Sequence, residues 1–437
     1  MEQNNTFETW YKIGTLIGAF LVPITLAVIS YLIKKRKCNF EERKKRFKEM
    51  DEKLIEKSIR YEGIARDWYK YALKGKIEGD YLLYKSNWVH QQGAKLIRLE
   101  DVKINYHTCF GRDKKFKKLQ NSLSKDIFPK PKELFTENAE KYLHKNYFPK
   151  PTFSLKNFEM DCKKGEAILN IYLGCYFDFL NTCMPFQYET AFEDLYFDKK
   201  PSDKSPLRNK FSLLDTDNRF VSIGISTLVV IKNIKDEERN IILNGRQLTK
   251  NMFLLHRRSS KVSTSANQIH VVPSGSYQPA TINNKSNPEE IKKALENVEN
   301  LMSTVEREFA EEILGVEIAT QLSDYKSLEK YKLKPMLKET YLIGLGFYPL
   351  DTHVDIFSIS IIDANTSGLG NTVNEIEYNI ENKIKIKGND EGDIQLHEFS
   401  KENLVEFMNN TNATPSLKSI FEIIVKDFEN ITNQLKC

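Results

Sequence analysis

Arg307-Glu308-Phe309-Ala310-Glu311-Glu312-Ile313-Leu314-Gly315 is the stretch of this 437-residue chain that decides its fold. Apolar side chains recur at helical intervals through it, so the segment is predicted to be a helix. In a helix the i, i+3, i+4 spacing of Glu308, Glu311 and Glu312 projects three carboxylates from one face. Such like-charge pairs each disfavour a helix by about 0.2–0.5 kcal/mol. A divalent cation between them removes that cost; the alternative is a solvated acidic face.

Two upstream segments accompany this helix. Residues 253–258 read as a strand ending in the paired basic residues Arg257 and Arg258. Residues 271–275 read Val-Val-Pro-Ser-Gly, a turn that ends at Gly275. Glu299 precedes Arg307 by eight positions.

The order of these three segments resembles the Nudix hydrolase superfamily over roughly residues 216–430. The resemblance implies an α/β/α sandwich with a mixed sheet, and hydrolysis of the pyrophosphate in a nucleoside diphosphate derivative. It implies that Glu308, Glu311 and Glu312 bind Mg²⁺ or Mn²⁺ and that Arg307 orients them. It also implies substrate contacts from Arg257, Arg258 and Gly275.

The sequence departs from the family pattern in three places. The segment between Gly275 and Glu299 is longer than in the family, and residues 283–298 are predicted to form an inserted loop and helix start. One extra residue follows Glu312, and Ser274 replaces a glycine of the turn. These changes leave two further functions open. One is a sensor that binds a nucleotide or ADP-ribose derivative without turnover, and the other is a scaffold for interactions.

The N-terminal region carries an uncharged run from Ile13 to Ile33. A helix of that length spans about 32 Å, enough for a membrane core. A strongly basic run follows at 34–48, which predicts a single-pass membrane protein with its N-terminus outside and its C-terminal domain in the cytoplasm. The basic run at 34–48 could bind anionic lipid headgroups, or it could serve only to fix the topology. A Gly14-x-x-x-Gly18 pair is consistent with a homodimer.

Charge and cysteine usage narrow the function classes. The formal net charge of +5 is accounted for by the basic run, so no dedicated nucleic-acid-binding surface is expected. The six cysteines include no Cys-x-x-Cys pair and are interpreted as reduced thiols.

Five units are therefore predicted in an α+β chain. They are an extracytoplasmic tail (1–12), a transmembrane helix (13–33), a basic helical juxtamembrane region and linker (34–150), a β-rich lead-in unit (151–215) and a Nudix-like domain (216–433). Within the last unit, residues 221–231 are predicted to form a central strand, because the run is almost wholly apolar and rich in Val and Ile.

Overall fold

A computed structural model describes most of the chain. The described residues are 3–107, 127–130, 133–147, 151–196, 206–232, 242–243, 246–247, 251–259, 267–279, 300–313, 337, 339–363 and 392–436.

The helices occur in two groups, one before and one within or after the main sheet. The first group is α1 (Gln3–Glu56), α2 (Ser58–Ala72), α3 (Phe135–Leu143), α4 (Tyr176–Thr182), α5 (Met184–Tyr196) and α6 (Pro206–Lys210). The second is α7 (Leu301–Glu312), α8 (Lys401–Asn409), α9 (Pro415–Lys426) and α10 (Phe428–Leu435).

The strands form a large mixed sheet, a small sheet and an isolated hairpin. In chain order they are β1 (Ile97–Arg98), β2 (Lys103–His107), β3 (Pro151–Asp161), β4 (Glu166–Cys175), β5 (Ile223–Lys232), β6 (Ile242–Leu243), β7 (Arg246–Gln247), β8 (Met252–Arg258), β9 (Ile269–Val271), β10 (Ser274–Ser276), β11 (Glu339–Phe347), β12 (Val354–Asp363) and β13 (Gly392–Glu398).

The main sheet is built around β5, whose residues are nearly all buried. Its strand order is β1-β11-β12-β5-β8-β13, with β10 also paired to β5 and β9 to β8. Strands β12 and β5 are parallel and their neighbours are antiparallel. The predicted central strand and mixed sheet are therefore present, as expected for a Val- and Ile-rich run that is buried on both faces.

The small sheet has the order β2-β4-β3 and is joined to the main sheet. The amide of Leu155 in β3 donates to the carbonyl of Val221 at 2.8 Å. The amide of Phe153 donates to the carbonyl of Tyr277, just after β10, at 3.5 Å. The lead-in unit thus abuts the strand that carries Gly275.

The N-terminal helix overturns the largest expectation. Helix α1 does not end at Ile33 but continues through the charged segment to Glu56, where Phe47 and Met50 are buried against other helices. Among the residues that the structure describes, no helix is long and apolar enough to cross a membrane. The predicted transmembrane helix at 13–33, the single-pass topology and the membrane location are therefore wrong. The apolar run is not a separate element, because one helix of 54 residues continues from it into the charged segment.

The region 34–150 also differs from a simple helical linker. After α2 the chain forms two short 3₁₀ turns and the strands β1 and β2. Strand β1 pairs with the edge of β11, and β2 pairs in parallel with β4. The region predicted to be helical is helical as far as the end of α2 at Ala72, whereas pairing with distant strands determines the conformation of β1 and β2.

Candidate functional site

Helix α7 lies where the glutamate-rich stretch predicted a helix. It begins after Asn300, whose side-chain carbonyl accepts a hydrogen bond from the Ser303 amide at 3.1 Å. Leu301, Val305 and Phe309 are buried along its apolar face. The cap fixes where the helix starts, and the apolar face fixes its rotation.

Glu308 lies directly against β10. A Cβ placed on Gly275 would come 2.1 Å from the Glu308 carboxyl carbon and 2.3 and 2.4 Å from its two oxygens. Only glycine, which lacks that atom, permits this approach. The structure thus brings together two residues that the resemblance had assigned to the site.

Arg307 connects the same two elements. Its Nη2 donates to Glu308 Oε1 at 2.6 Å and to the Ser276 carbonyl at 3.1 Å. Both side chains of the pair are largely buried, at 13% and 12% exposure. A charge-assisted hydrogen bond in that setting holds the carboxylate in one orientation. That Arg307 orients the glutamates stays a prediction, and the one among them to which it is seen to donate is Glu308.

Glu312 contacts Ser274, the residue of β10 that precedes Gly275. Its Oε2 accepts a hydrogen bond from the Ser274 amide at 2.8 Å, and the residue is only 6% exposed. Glu311 is half-buried on the same helix. The family's glycine at position 274 is replaced by serine here, but the contact uses the main chain and is unaffected by that replacement.

The donor set suits a hard divalent cation, since it consists of carboxylate oxygens. The Glu308 carboxylate occupies the place that a side chain at position 275 would take. However, no three His, Cys, Asp or Glu side chains in the described ranges are arranged as a group that could hold a metal ion. The binding of Mg²⁺ or Mn²⁺ by Glu308, Glu311 and Glu312 stays a prediction.

The paired arginines, Arg257 and Arg258, are on opposite faces of the sheet. Consecutive residues of a strand project to opposite faces of the sheet. Arg258 shares a face with His256, whose cross-strand partner His270 contacts Ser416 of α9. Arg257 projects to the other face and is exposed. Arg257 shares its face with Phe253, which packs on Phe407 of α8 and Phe421 of α9.

The two histidines beside these arginines are structural. Burial, with a smaller effect from Arg258, lowers the pKa of His256 to about 4. Burial lowers the pKa of His270 to about 3. Both rings are neutral at pH 7, and His270 Nε2 lies 3.1 Å from Ser416 Oγ. No site role was predicted for either residue, and the packing gives no reason to assign one.

Strand β2, in the region 34–150, supplies a neighbour that no sequence signal identified. The Tyr106 hydroxyl of β2 lies 3.4 Å from the Tyr277 hydroxyl, and Tyr277 follows β10 directly. Glu299 and the predicted insertion at 283–298 lie outside the described residues.

Comparison with known proteins gives little more. No protein-family model and no curated protein matches this chain. Among solved structures, a mutT/nudix family protein from Listeria innocua is 12% identical, with a TM-score of 0.25. The match covers 49% of this chain and 96% of that one. A TM-score this low carries no argument, so the case for the site rests on the contacts above.

Proposed function

We propose that this chain is a Nudix-type hydrolase that cleaves the pyrophosphate of a nucleoside diphosphate derivative with a divalent metal. The observation that carries the proposal is the contact of the Glu308 carboxylate with Gly275, with Arg307 bridging Glu308 and the Ser276 carbonyl. A scaffold has no need for a glycine and an arginine that together fix one carboxylate.

The chain's own residues have distinct tasks in this proposal. Arg307 offsets the charge of Glu308 and ties α7 to β10, so that the carboxylate keeps one position. The Ser274 amide does the same for Glu312. Arg257 is exposed, and its cationic side chain is available to a phosphate group. Bound Mg²⁺ or Mn²⁺, held by Glu308, Glu311 and Glu312, would polarise the pyrophosphate and lower the pKa of an attacking water.

A second candidate is binding without hydrolysis. It is favoured by the state of the carboxylates, because Glu308 is hydrogen-bonded to Arg307 and Glu312 to the Ser274 amide. In this alternative the domain binds a nucleotide or ADP-ribose derivative and leaves it intact. Binding then alters the contacts that the domain itself makes.

One experiment separates the two candidates. The full-length protein is incubated with a panel of nucleoside diphosphate derivatives, ADP-ribose among them, with Mg²⁺, with Mn²⁺ and with EDTA. Products are resolved by chromatography, and binding is followed in parallel by calorimetry. Metal-dependent release of a nucleoside monophosphate supports the hydrolase. Binding without product supports the sensor. If the protein neither binds nor hydrolyses any of these compounds, only the scaffold function is left.

Matched variants show whether α7 is responsible. Glu311→Gln removes one charge from the predicted metal face, whereas Glu306→Gln removes one from another side of the same helix. Hydrolysis is expected to be lost in the first variant and kept in the second. Equal activity in both would place the chemistry elsewhere.

A further inference from the structure

Asp355 is a buried carboxylate on β12 that no part of the proposed mechanism uses. It is only 6% exposed. Its Oδ2 accepts hydrogen bonds from Ser226 Oγ at 2.8 Å and from the Tyr348 hydroxyl at 3.2 Å. Ser226 belongs to the neighbouring strand β5, whereas Tyr348 lies between β11 and β12.

The other oxygen of Asp355 rests on the main chain of β5. A Cβ placed on Gly224 would lie 2.1 Å from Asp355 Oδ1 and 3.6 Å from the Gly275 carbonyl oxygen. Because real Cβ atoms do not come that close to oxygen, the contact requires glycine at 224. Asp355 therefore occupies a place on β5 that an ordinary side chain would take.

From Gly224 the contacts continue to the candidate site. Gly224 pairs with Ser276 of β10. On either side of that pair, the Tyr277 amide donates to the Ile223 carbonyl and the Thr227 amide to the Pro273 carbonyl, each at 2.9 Å. The Ser276 carbonyl in turn accepts the hydrogen bond from Arg307.

We propose that Asp355 is a positioning residue for the candidate site, because it fixes β5 at Gly224 and through β10 holds Gly275 and Ser276 against Glu308 and Arg307. The inference deepens the proposed function and rests on it for any effect on hydrolysis. The structural part, the control of β10 by Asp355, stands independently.

The network around Asp355 extends to the helical region. The His353 ring stacks on Tyr348 with 3.8 Å between ring centroids, and its Nδ1 lies 2.5 Å from Asp351 Oδ1. Burial and the neighbouring Asp351 raise the pKa of Glu62, on α2, to about 7. Burial also raises the pKa of Asp355, while His353 opposes that shift. Asp355 is therefore one member of a tightly packed polar group rather than an isolated side chain.

Hydrogen exchange of the full-length protein tests the structural part. Asp355→Ala is expected to speed exchange in the segment 273–277, whose amide hydrogens belong to residues 274–277, by about tenfold, because β10 loses its support through β5. Asp355→Asn keeps the shape and an acceptor for Ser226 and Tyr348, so it is expected to restore the wild-type rate. Ser358→Ala is the control, since it breaks another side-chain hydrogen bond between β5 and β12, the 2.7 Å contact with Thr227 Oγ1.

A double-mutant cycle sharpens the test. Gly224→Ala places a methyl group where Asp355 Oδ1 lies and is expected to speed exchange at 273–277 as Asp355→Ala does. In Gly224→Ala/Asp355→Ala the new methyl group fills the vacated space, so the two effects are expected not to add. Should Gly224→Ala fail to fold, the Asp355→Ala and Asp355→Asn pair still decides.

The outcomes separate this inference from the proposed function. Unchanged exchange at 273–277 in Asp355→Ala, or equal acceleration in Ser358→Ala, would overturn the positioning role whether or not the protein hydrolyses anything. Faster exchange in Asp355→Ala, together with no hydrolysis by the wild type, would support the positioning role and exclude the proposed hydrolase function. With an active wild type, kcat is expected to fall in Asp355→Ala with KM little changed, and to recover in Asp355→Asn.

Discussion

Glu308 and Asp355 approach the same pair of strands from opposite faces of the sheet, and each rests on a glycine of its own. Glu308 contacts Gly275 of β10, and Asp355 contacts Gly224 of β5. The two glycines occupy adjacent positions in the β5–β10 register, because Gly275 pairs with Ile225 and Gly224 with Ser276. Two carboxylates thus bracket one short stretch of main chain.

Gly275→Ala is expected to remove most activity. The new methyl group would meet the Glu308 carboxylate at 2.1–2.4 Å, so that side chain must move and its contact with Arg307 is lost. We expect kcat to fall by about 10- to 100-fold, the usual effect of displacing a group that orients ligands. Gly63→Ala on α2 is the control, because its methyl group would lie 3.8 Å from the nearest atom, Arg66 Nη2. Activity near that of the wild type in Gly275→Ala would contradict the assigned role of Glu308.

Glu312→Gln should separate chemistry from folding. A glutamine oxygen still accepts the Ser274 amide, so the melting temperature is expected to change little. The charge needed for metal is gone, so metal-dependent hydrolysis should drop by about 10- to 100-fold or more. Glu312→Ala, which also leaves the Ser274 amide without this acceptor, should lose about 1–3 kcal/mol of stability in addition. A Glu312→Gln variant that hydrolyses substrate normally would exclude Glu312 as a metal ligand.

His397 should make the protein less stable in acid. Burial lowers its pKa from the ordinary 6.5 to about 4. A histidine with a depressed folded-state pKa contributes stability above pH 6.5 that is lost as the pH falls from 6.5 towards 4. At pH 5 the loss is on the order of 2 kcal/mol. Urea unfolding of wild type and His397→Leu at pH 7.5 and pH 5 isolates this contribution, since the packing change cancels between pH values. An identical pH dependence in both proteins would refute it.

The Glu189–Arg208 pair should be needed for folding stability. Its side chains are only 1% and 2% exposed, with 3.4 Å between Glu189 Oε2 and Arg208 Nη1. Glu189→Ala leaves a buried cation without its partner and is expected to cost about 3–5 kcal/mol. Burial raises the pKa of Glu189 to about 7, so unfolding is best measured at pH 8, where the carboxylate is ionised. Glu100→Gln, which breaks an exposed pair with Arg98, should cost less than about 1 kcal/mol.

Local patterns predicted the elements of the candidate site well. The helical spacing of the glutamates placed α7, and the Val- and Ile-rich run placed β5 at the centre of the sheet. The turn ending at Gly275 was assigned to the site before its contact with Glu308 was known. These features succeed because periodicity and the space left by a glycine are properties of a few neighbouring residues.

Features that depend on distant parts of the chain were missed. Alternation along β8 places Arg257 and Arg258 on opposite faces of the sheet, although the resemblance implied substrate contacts from both. No local sequence pattern marks Asp355, because its role depends on Gly224, 131 positions earlier, and on the register of two strands. The apolar run at 13–33 was interpreted without the polar helix that continues it.

The two-residue strand β1 has a consequence for how the protein avoids self-association. Ile97 and Arg98 pair with Leu342 and Tyr341 and so cover part of the outer edge of β11. An uncovered edge of a buried, apolar strand is a template for pairing with a second chain. A fragment that starts at residue 216 would keep the sheet but expose this edge. The pairing of β1 therefore protects this edge from pairing with a second chain. A fragment that starts at residue 216 is expected to be less soluble.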